Sequence, residues 1–173
     1  MSPMASVFAR ACTGALAALL IASTAQAAST KPATQAPKVN QAEMECLAKA
    51  IYFEARGEPL DGQRAVAEVI LNRVESPRFP ATVCAVVTQG NSRGCQFSYH
   101  CNGRSKAIRE RAAYSRAVQV ATAALSGQAR ALTDGATYFH TPAVRPAWSR
   151  KFVRTARIGR HIFYRQDQRV ASN

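Results

Sequence analysis

Apolar residues recur at three-and-four spacing through Met44, Leu47, Ala48, Ile51 and Ala55, and again through Val66, Val69, Ile70 and Val74. This spacing predicts two amphipathic helices. Between them Arg56, Gly57 and Pro59 break the period, and Asp61 is positioned to cap the second helix. Ser76-Pro77-Arg78-Phe79-Pro80 reads as a turn, followed by a short apolar segment over residues 83–87. Ser105 is read as opening a long scaffold helix that runs to Leu125 and stops at Gly127, with Ile108, Tyr114, Ala117, Val118, Ala121 and Leu125 facing inward. The pattern then changes. Asp134-Gly135 is a turn signal, residues 136–140 are short and aromatic, Trp148 follows a proline-broken loop, and residues 155–165 read as two short strands turning at Gly159. The expected fold class is α+β, predominantly α, as a single domain with a small β-hairpin or sheet.

Glu54 falls on the apolar stripe of the first helix, seven residues after Leu47 and three after Ile51. A helix that buries those two side chains carries the carboxylate inward beside them. A carboxylic acid against apolar side chains is disfavoured in its charged form, so its pKa rises and it can hold a proton near neutral pH, as a general acid must. The competing structural reading is a helix-terminal glutamate paired to Arg56 or Arg73, or simply solvated by one turn of fraying.

Residues 1–27 have the three-part form of a secretory signal: Arg10, an apolar run over residues 11–22, and Ala25-Gln26-Ala27 as a cleavage site. The apolar run is short for a bilayer span, so cleavage and export to the periplasm or cell envelope are expected, without stable membrane insertion. Residues 28–41 read as a flexible leader, residues 42–168 as the folded domain and residues 169–173 as a tail. The whole chain carries a formal charge of +13, and loss of Arg10 with the signal leaves +12. Such a charge draws an exported protein to anionic polymers. The basic residues are scattered, with no nucleic-acid motif or stacking platform, and nucleic acid is not expected as a partner. A monomer is expected, and any envelope regulators are unknown.

Four cysteines follow the signal: Cys46, Cys84, Cys95 and Cys101. In an oxidising compartment they argue for two disulfides, with three pairings open. Cys95-Cys101 with Cys46-Cys84 is preferred, because the first closes a small loop and the second ties the first helix to the segment after Pro80. A metal site built from Cys95, His100, Cys101, His140 and His161 is the competing reading, but the spacing matches no regular zinc pattern, and no metal or cofactor is expected. The loop over residues 89–103 is rich in Gly, Asn and Ser and carries Gln96, Phe97, Tyr99 and His100, a set suited to a sugar's hydroxyls and apolar face. Tyr138, His140 and Trp148 are candidates to line a cleft with Glu54. Each has core packing as its alternative.

The run Ala50-Ile51-Tyr52-Phe53-Glu54-Ala55-Arg56-Gly57-Glu58-Pro59, followed by Gly62-Gln63, Ala65-Val66-Ala67 and Val69-Ile70-Leu71-Asn72-Arg73-Val74, resembles the catalytic domain of the spore-cortex-lytic enzymes, the SleB/CwlJ-type cell wall hydrolases. Cys95-Gln96-Phe97-Ser98, the run from Ala136 to Thr141 and the run from Ala156 to Arg165 resemble the later blocks in the same order. The resemblance implies a lysozyme-like, lytic-transglycosylase-type fold acting on peptidoglycan glycan strands. It places the single catalytic acid on Glu54 and substrate contacts on Gln96, Phe97 and Ser98 and on the block from Tyr138 to His140. Ordinary glycosidases use two carboxylates, whereas here Glu58 lies past the glycine corner and Asp61 is assigned to a cap. A one-glutamate lytic transglycosylase is therefore the favoured expectation. The alternatives are a hydrolytic muramidase with Asp61 or Glu68 as base, a zinc amidase using His100, His140 or His161, and a non-catalytic basic wall-binding module.

Overall fold

The computed structural model describes residues 39–91 and 94–166. The secretory signal, most of the leader and the C-terminal tail lie outside the described residues. Helix α1 (Gln41–Ala55) begins at Asn40, whose side chain accepts from Ala42 N at 3.0 Å and Glu43 N at 3.3 Å. Two of the donors that a helix start leaves unpaired are thereby satisfied. Leu47, Ala48, Ala50, Ile51, Tyr52 and Ala55 are all buried, so α1 is enclosed on more than one side. It packs against α2 (Leu60–Glu75), α3 (Val83–Thr88) and α4 (Arg111–Leu125).

Two links fasten α3 to the start of α1. The Glu43 carboxylate accepts from Val83 N at 2.5 Å and Cys84 N at 3.4 Å, and a disulfide joins Cys46 to Cys84. A carboxylate at the N-terminus of a helix meets both its free donors and the positive end of its dipole. Thr82 completes the cap from within the chain, its hydroxyl accepting from Ala85 N at 3.2 Å.

Helix α2 is buried on two sides. Val66, Ala67 and Ile70 join the main helical core, while Ala65 and Val69 pack with Ala136 and Phe163. The second group meets a three-stranded antiparallel sheet of order β3-β5-β4, made of β3 (Tyr138–His140), β4 (Val153–Ile158) and β5 (His161–Arg165), with the two-residue strands Gly90–Asn91 and Gly94–Cys95 being β1 and β2. The expected hairpin at Gly159 is present, with Gly159 at φ +56° and a register shift between Arg154 and Ala156. Gly159 lies against the carboxylate of Glu58, which accepts from Arg160 N at 2.9 Å and Arg160 Nε at 2.8 Å. Burial alone would raise the Glu58 carboxyl, but these bonds and the nearby His161 and Arg160 charges hold it below its ordinary value. Glu58 thus ties the corner after α1 to the hairpin turn.

Two sequence expectations are corrected here. Asp61 does not cap α2: Pro59 occupies the cap position, no side chain caps it, and Asp61 sits in the first turn with Arg64 at 3.3 Å. The reason is that Gln63 N already bonds Pro59 O at 3.1 Å, which puts the cap two residues before Asp61. The fourth helix begins at Arg111, not Ser105. The Ser105 hydroxyl accepts from Ala107 N at 3.2 Å, and the Tyr52 phenol oxygen accepts from Arg109 N at 3.3 Å and Glu110 N at 3.2 Å. These bonds satisfy backbone donors outside a helix and hold segment 104–110 against the end of α1.

Candidate active site

Glu54 is the last residue but one of α1, one helical turn beyond Ile51. It opens into a cavity of about 630 Å³ also lined by Tyr52, Arg56, Ser98, Tyr99 and residues of segment 104–110. Burial pushes its carboxyl up from 4.5 to about 7. The competing salt-bridge reading is not what the structure contains. Arg56 Nε pairs with Glu110 at 2.8 Å, Arg73 Nε donates to Thr137 O at 2.6 Å, and among the described residues Glu54 has neither a hydrogen bond nor an ion pair.

The apolar character of this end of the cavity comes from stacked rings. Phe53 and Tyr99 stack at 4.7 Å between centroids, and Tyr52 meets Phe53 edge-on at 5.0 Å. Burial, followed by the Glu54 charge, pushes the Tyr99 phenol well above its ordinary value, so Tyr99 remains protonated beside the carboxylate. Tyr99 lies on a short 3-10 turn, Ser98–His100, bracketed by the Cys95-Cys101 disulfide. The disulfide sets where Ser98 and Tyr99 meet the cavity.

The sequence-predicted contacts separate into three groups. Ser98 lines the Glu54 cavity; Gln96 is exposed and does not. Phe97 is corrected: it is 1 % exposed, belongs to the helical core, and packs under the Arg73 guanidinium at 5.4 Å. A side chain so enclosed has no surface left for substrate. Tyr138, His140 and Trp148 come together with one another but not in the Glu54 cavity. Their ring centroids are 5.2 Å apart for Tyr138 with Trp148 and 5.6 Å for His140 with Trp148, with Phe152 4.7 Å from Tyr138.

Within that cluster His140 is structural. Its Nδ1 faces Thr141 O at 2.8 Å, so Nδ1 carries the proton and donates, and Nε2 accepts from the Tyr164 hydroxyl at 3.1 Å. Both ring nitrogens are therefore engaged within the fold. Beneath the cluster Arg73 sits buried over Phe79, Phe97 and Tyr138 at 5.1, 5.4 and 5.4 Å. Desolvation lowers it to about 10, and it remains the cation that joins the end of α2 to both aromatic groups.

Sequence reading missed three contributors. Glu110 is a second carboxylate in the cavity lining, Tyr52 is the hydroxyl that holds segment 104–110, and that segment supplies Arg104, Lys106 and Arg109 to the lining. One signal was present. The inward positions Ala113, Ala117, Val120 and Ala121 follow helical spacing, but Ile108 is five residues before Ala113 and falls out of step. Neither carboxylate proposed as a water-activating base is in the cavity lining. Asp61 pairs with Arg64, and Glu68 is buried, accepting from Thr133 N at 2.9 Å, Leu132 N at 3.1 Å and the Thr133 hydroxyl at 2.5 Å. Cys95 is in a disulfide, and among the described residues no group of three or more His, Cys, Asp or Glu is disposed to hold a metal ion. Among the same residues no helix is long and apolar enough to cross a membrane.

A mainly helical domain, closed by a small antiparallel sheet and carrying an acid at the end of its central helix, is of the lysozyme-like class. Comparison with known proteins agrees. A family model described as Cell Wall Hydrolase matches residues 57–164, beginning three residues after Glu54, and the chain belongs to that family. A spore cortex-lytic enzyme of Halalkalibacterium halodurans is 38 % identical over 124 residues, covering 70 % of this chain and 34 % of that protein. The chain thus spans about a third of the length of that relative. The crystal structure of the catalytic domain of the Bacillus cereus SleB protein superposes with a TM-score of 0.61 at 32 % identity, covering 75 % of this chain and 94 % of that one. The catalytic domain of the germination-specific lytic transglycosylase SleB from Bacillus anthracis gives 0.59 at 31 % identity, covering 75 % and 98 %. The expected lysozyme-like α+β architecture and the resemblance to SleB-type hydrolases both hold.

Proposed function

We propose that this protein cleaves peptidoglycan glycan strands between N-acetylmuramic acid and N-acetylglucosamine, leaving 1,6-anhydromuramic ends, with Glu54 as its single catalytic acid and base. The observation that carries the reading is the Glu54 carboxyl, raised by burial to about 7 and without a partner among the described residues at the wall of a saccharide-sized cavity. Protonated Glu54 donates to the glycosidic oxygen, and the bond from that oxygen to the muramic anomeric carbon breaks. The resulting carboxylate takes the proton of the muramic 6-hydroxyl, whose oxygen closes on the anomeric carbon. No water needs to be positioned, because the nucleophile is tethered to the reacting carbon and gains on the order of 10^5 M or more in effective concentration. In this reading Ser98 is a substrate contact at the cavity, Gln96 an exposed contact beside it, and Tyr138 and Trp148 an aromatic platform for a more distant sugar. The protein works outside the cytoplasm after export. A similar solved domain named as a lytic transglycosylase supports the same choice.

A hydrolytic muramidase is the second reading, and Glu110 is what favours it, since it places a second carboxylate in the same lining. Its pairing with Arg56 at 2.8 Å already engages it as an ion-pair acceptor, which weighs toward the one-glutamate route. Mass spectrometry of purified peptidoglycan digested with residues 28–173 separates the two. Products ending in 1,6-anhydromuramic acid, unchanged by chelator, are expected. Reducing muramic ends would replace this mechanism with hydrolysis, and freed peptide stems lost on chelation would replace it with an amidase.

A further inference from the structure

Four cations line the Glu54 cavity: Arg56, Arg104, Lys106 and Arg109. Arg56 is neutralised by Glu110, but among the described residues the other three have no ion pair. They are not carried on a loose loop. Asn102 Oδ1 accepts from Arg104 N at 3.0 Å, Ser105 Oγ from Ala107 N at 3.2 Å, and Tyr52 Oη from Arg109 N at 3.3 Å, while Ile108 packs on the helical core. The charge of Lys106 is felt inward as well, because burial and then Lys106 lower His100 below its ordinary value. A backbone pinned at these points presents three uncompensated positive charges to the cavity that holds the acid.

The hydroxyls and acetamido groups of a saccharide are neutral and call for neutral partners. Three free cations call for an anion. On a glycan strand the anion nearest the scissile bond belongs to the muramic residue, either as the free carboxylate of its lactyl ether or as carboxylates of a peptide built on that ether. We propose that segment 104–110 is a subsite for a carboxylate carried by the muramic residue, so that the enzyme selects strands by that charge. The inference rests on the glycan-cleaving reading above for its substrate and adds to it a specificity determinant, made of Arg104, Lys106 and Arg109.

The test uses four strand preparations: with intact stems, with stems removed by an amidase to leave lactyl carboxylates, and each of these with its carboxylates converted to neutral methylamides. Wild-type protein is expected to cleave at least one carboxylate-bearing form about tenfold better in kcat/KM than its methylamide, mainly through KM, with the advantage shrinking as salt is added. Whichever pair shows the difference identifies the lactyl or the stem carboxylate as the ligand. The variant R104Q/K106Q/R109Q is expected to cleave charged and methylamidated strands equally well and to keep its melting temperature, since all three residues are exposed. Equal cleavage of charged and neutral strands, or a preference retained by the triple variant, would overturn the proposal and leave the cations as a solubilising surface. Binding of the same strands to E54Q protein is measured in parallel. If wild-type protein cleaves no glycan, the proposed function fails while the binding comparison still decides on the carboxylate subsite.

Discussion

Glu54→Gln is expected to lower glycan cleavage by about 10^3-fold or more and, at the same time, to make the protein more stable above neutral pH. The two effects have one origin. The carboxyl titrates near 4.5 in an unfolded chain and near 7 in the folded one. Between those values the unfolded chain releases its proton while the folded protein keeps it, so wild-type stability falls as pH rises through this window and levels off above it. Glutamine has no proton to lose. The variant should therefore gain on the order of 2 kcal/mol over wild type near pH 8, with the gain vanishing below about pH 4.5. Paired thermal melts at pH 4 and pH 8, run with strand-cleavage assays, check it. A stability difference that does not change with pH would mean that Glu54 is an ordinary solvated carboxylate.

Removing the Cys46-Cys84 disulfide is expected to cost the fold about 3 to 4 kcal/mol, the loss associated with closing a loop of this length. The two cysteines are 38 residues apart and span α1, the corner and α2 before returning to α3. With the bridge gone, α3 keeps the Glu43 carboxylate at its N-terminus and Val83, Val86 and Val87 in the core. That is the packing of a helix of only six residues, too short to hold itself without tertiary support. Urea unfolding of C46A/C84A should show a lower midpoint with an activity per folded molecule near wild type, because neither residue lines the Glu54 cavity. Dithiothreitol should lower the wild-type midpoint and affect the variant less. An unchanged midpoint in both experiments would mean that Glu43 and the valines alone hold α3.

The helical half of the fold was legible because its information is local. The stripe from Leu47 to Ala55 and the break at Gly57 and Pro59 placed α1, α2 and the acid at the end of α1, and the Gly159 turn placed the hairpin. The bonds that displaced the start of α4 are not local. They join Tyr52 and Arg56 to Arg109 and Glu110, more than fifty residues along the chain, and no periodicity reports such a pairing. The same limit explains the aromatic residues. Phe97 lies in a stretch that looks like a sugar-binding loop, yet Arg73 of α2 sits over its ring and the core takes its surface. His140 looks equally available until Tyr164 and the Thr141 carbonyl occupy both its nitrogens. Residue type marked these side chains as chemically capable, but packing decided which of them face solvent.

Titration of the Glu54 carboxyl by carbon NMR, with the E54Q protein to assign its signal, tests most directly the claim that one buried glutamate is poised as the proton donor. A midpoint near 7 is expected, followed by loss of glycan cleavage as pH rises through the same value. A midpoint near 4.5 would show a carboxylate already ionised at neutral pH and would remove Glu54 from the role of acid.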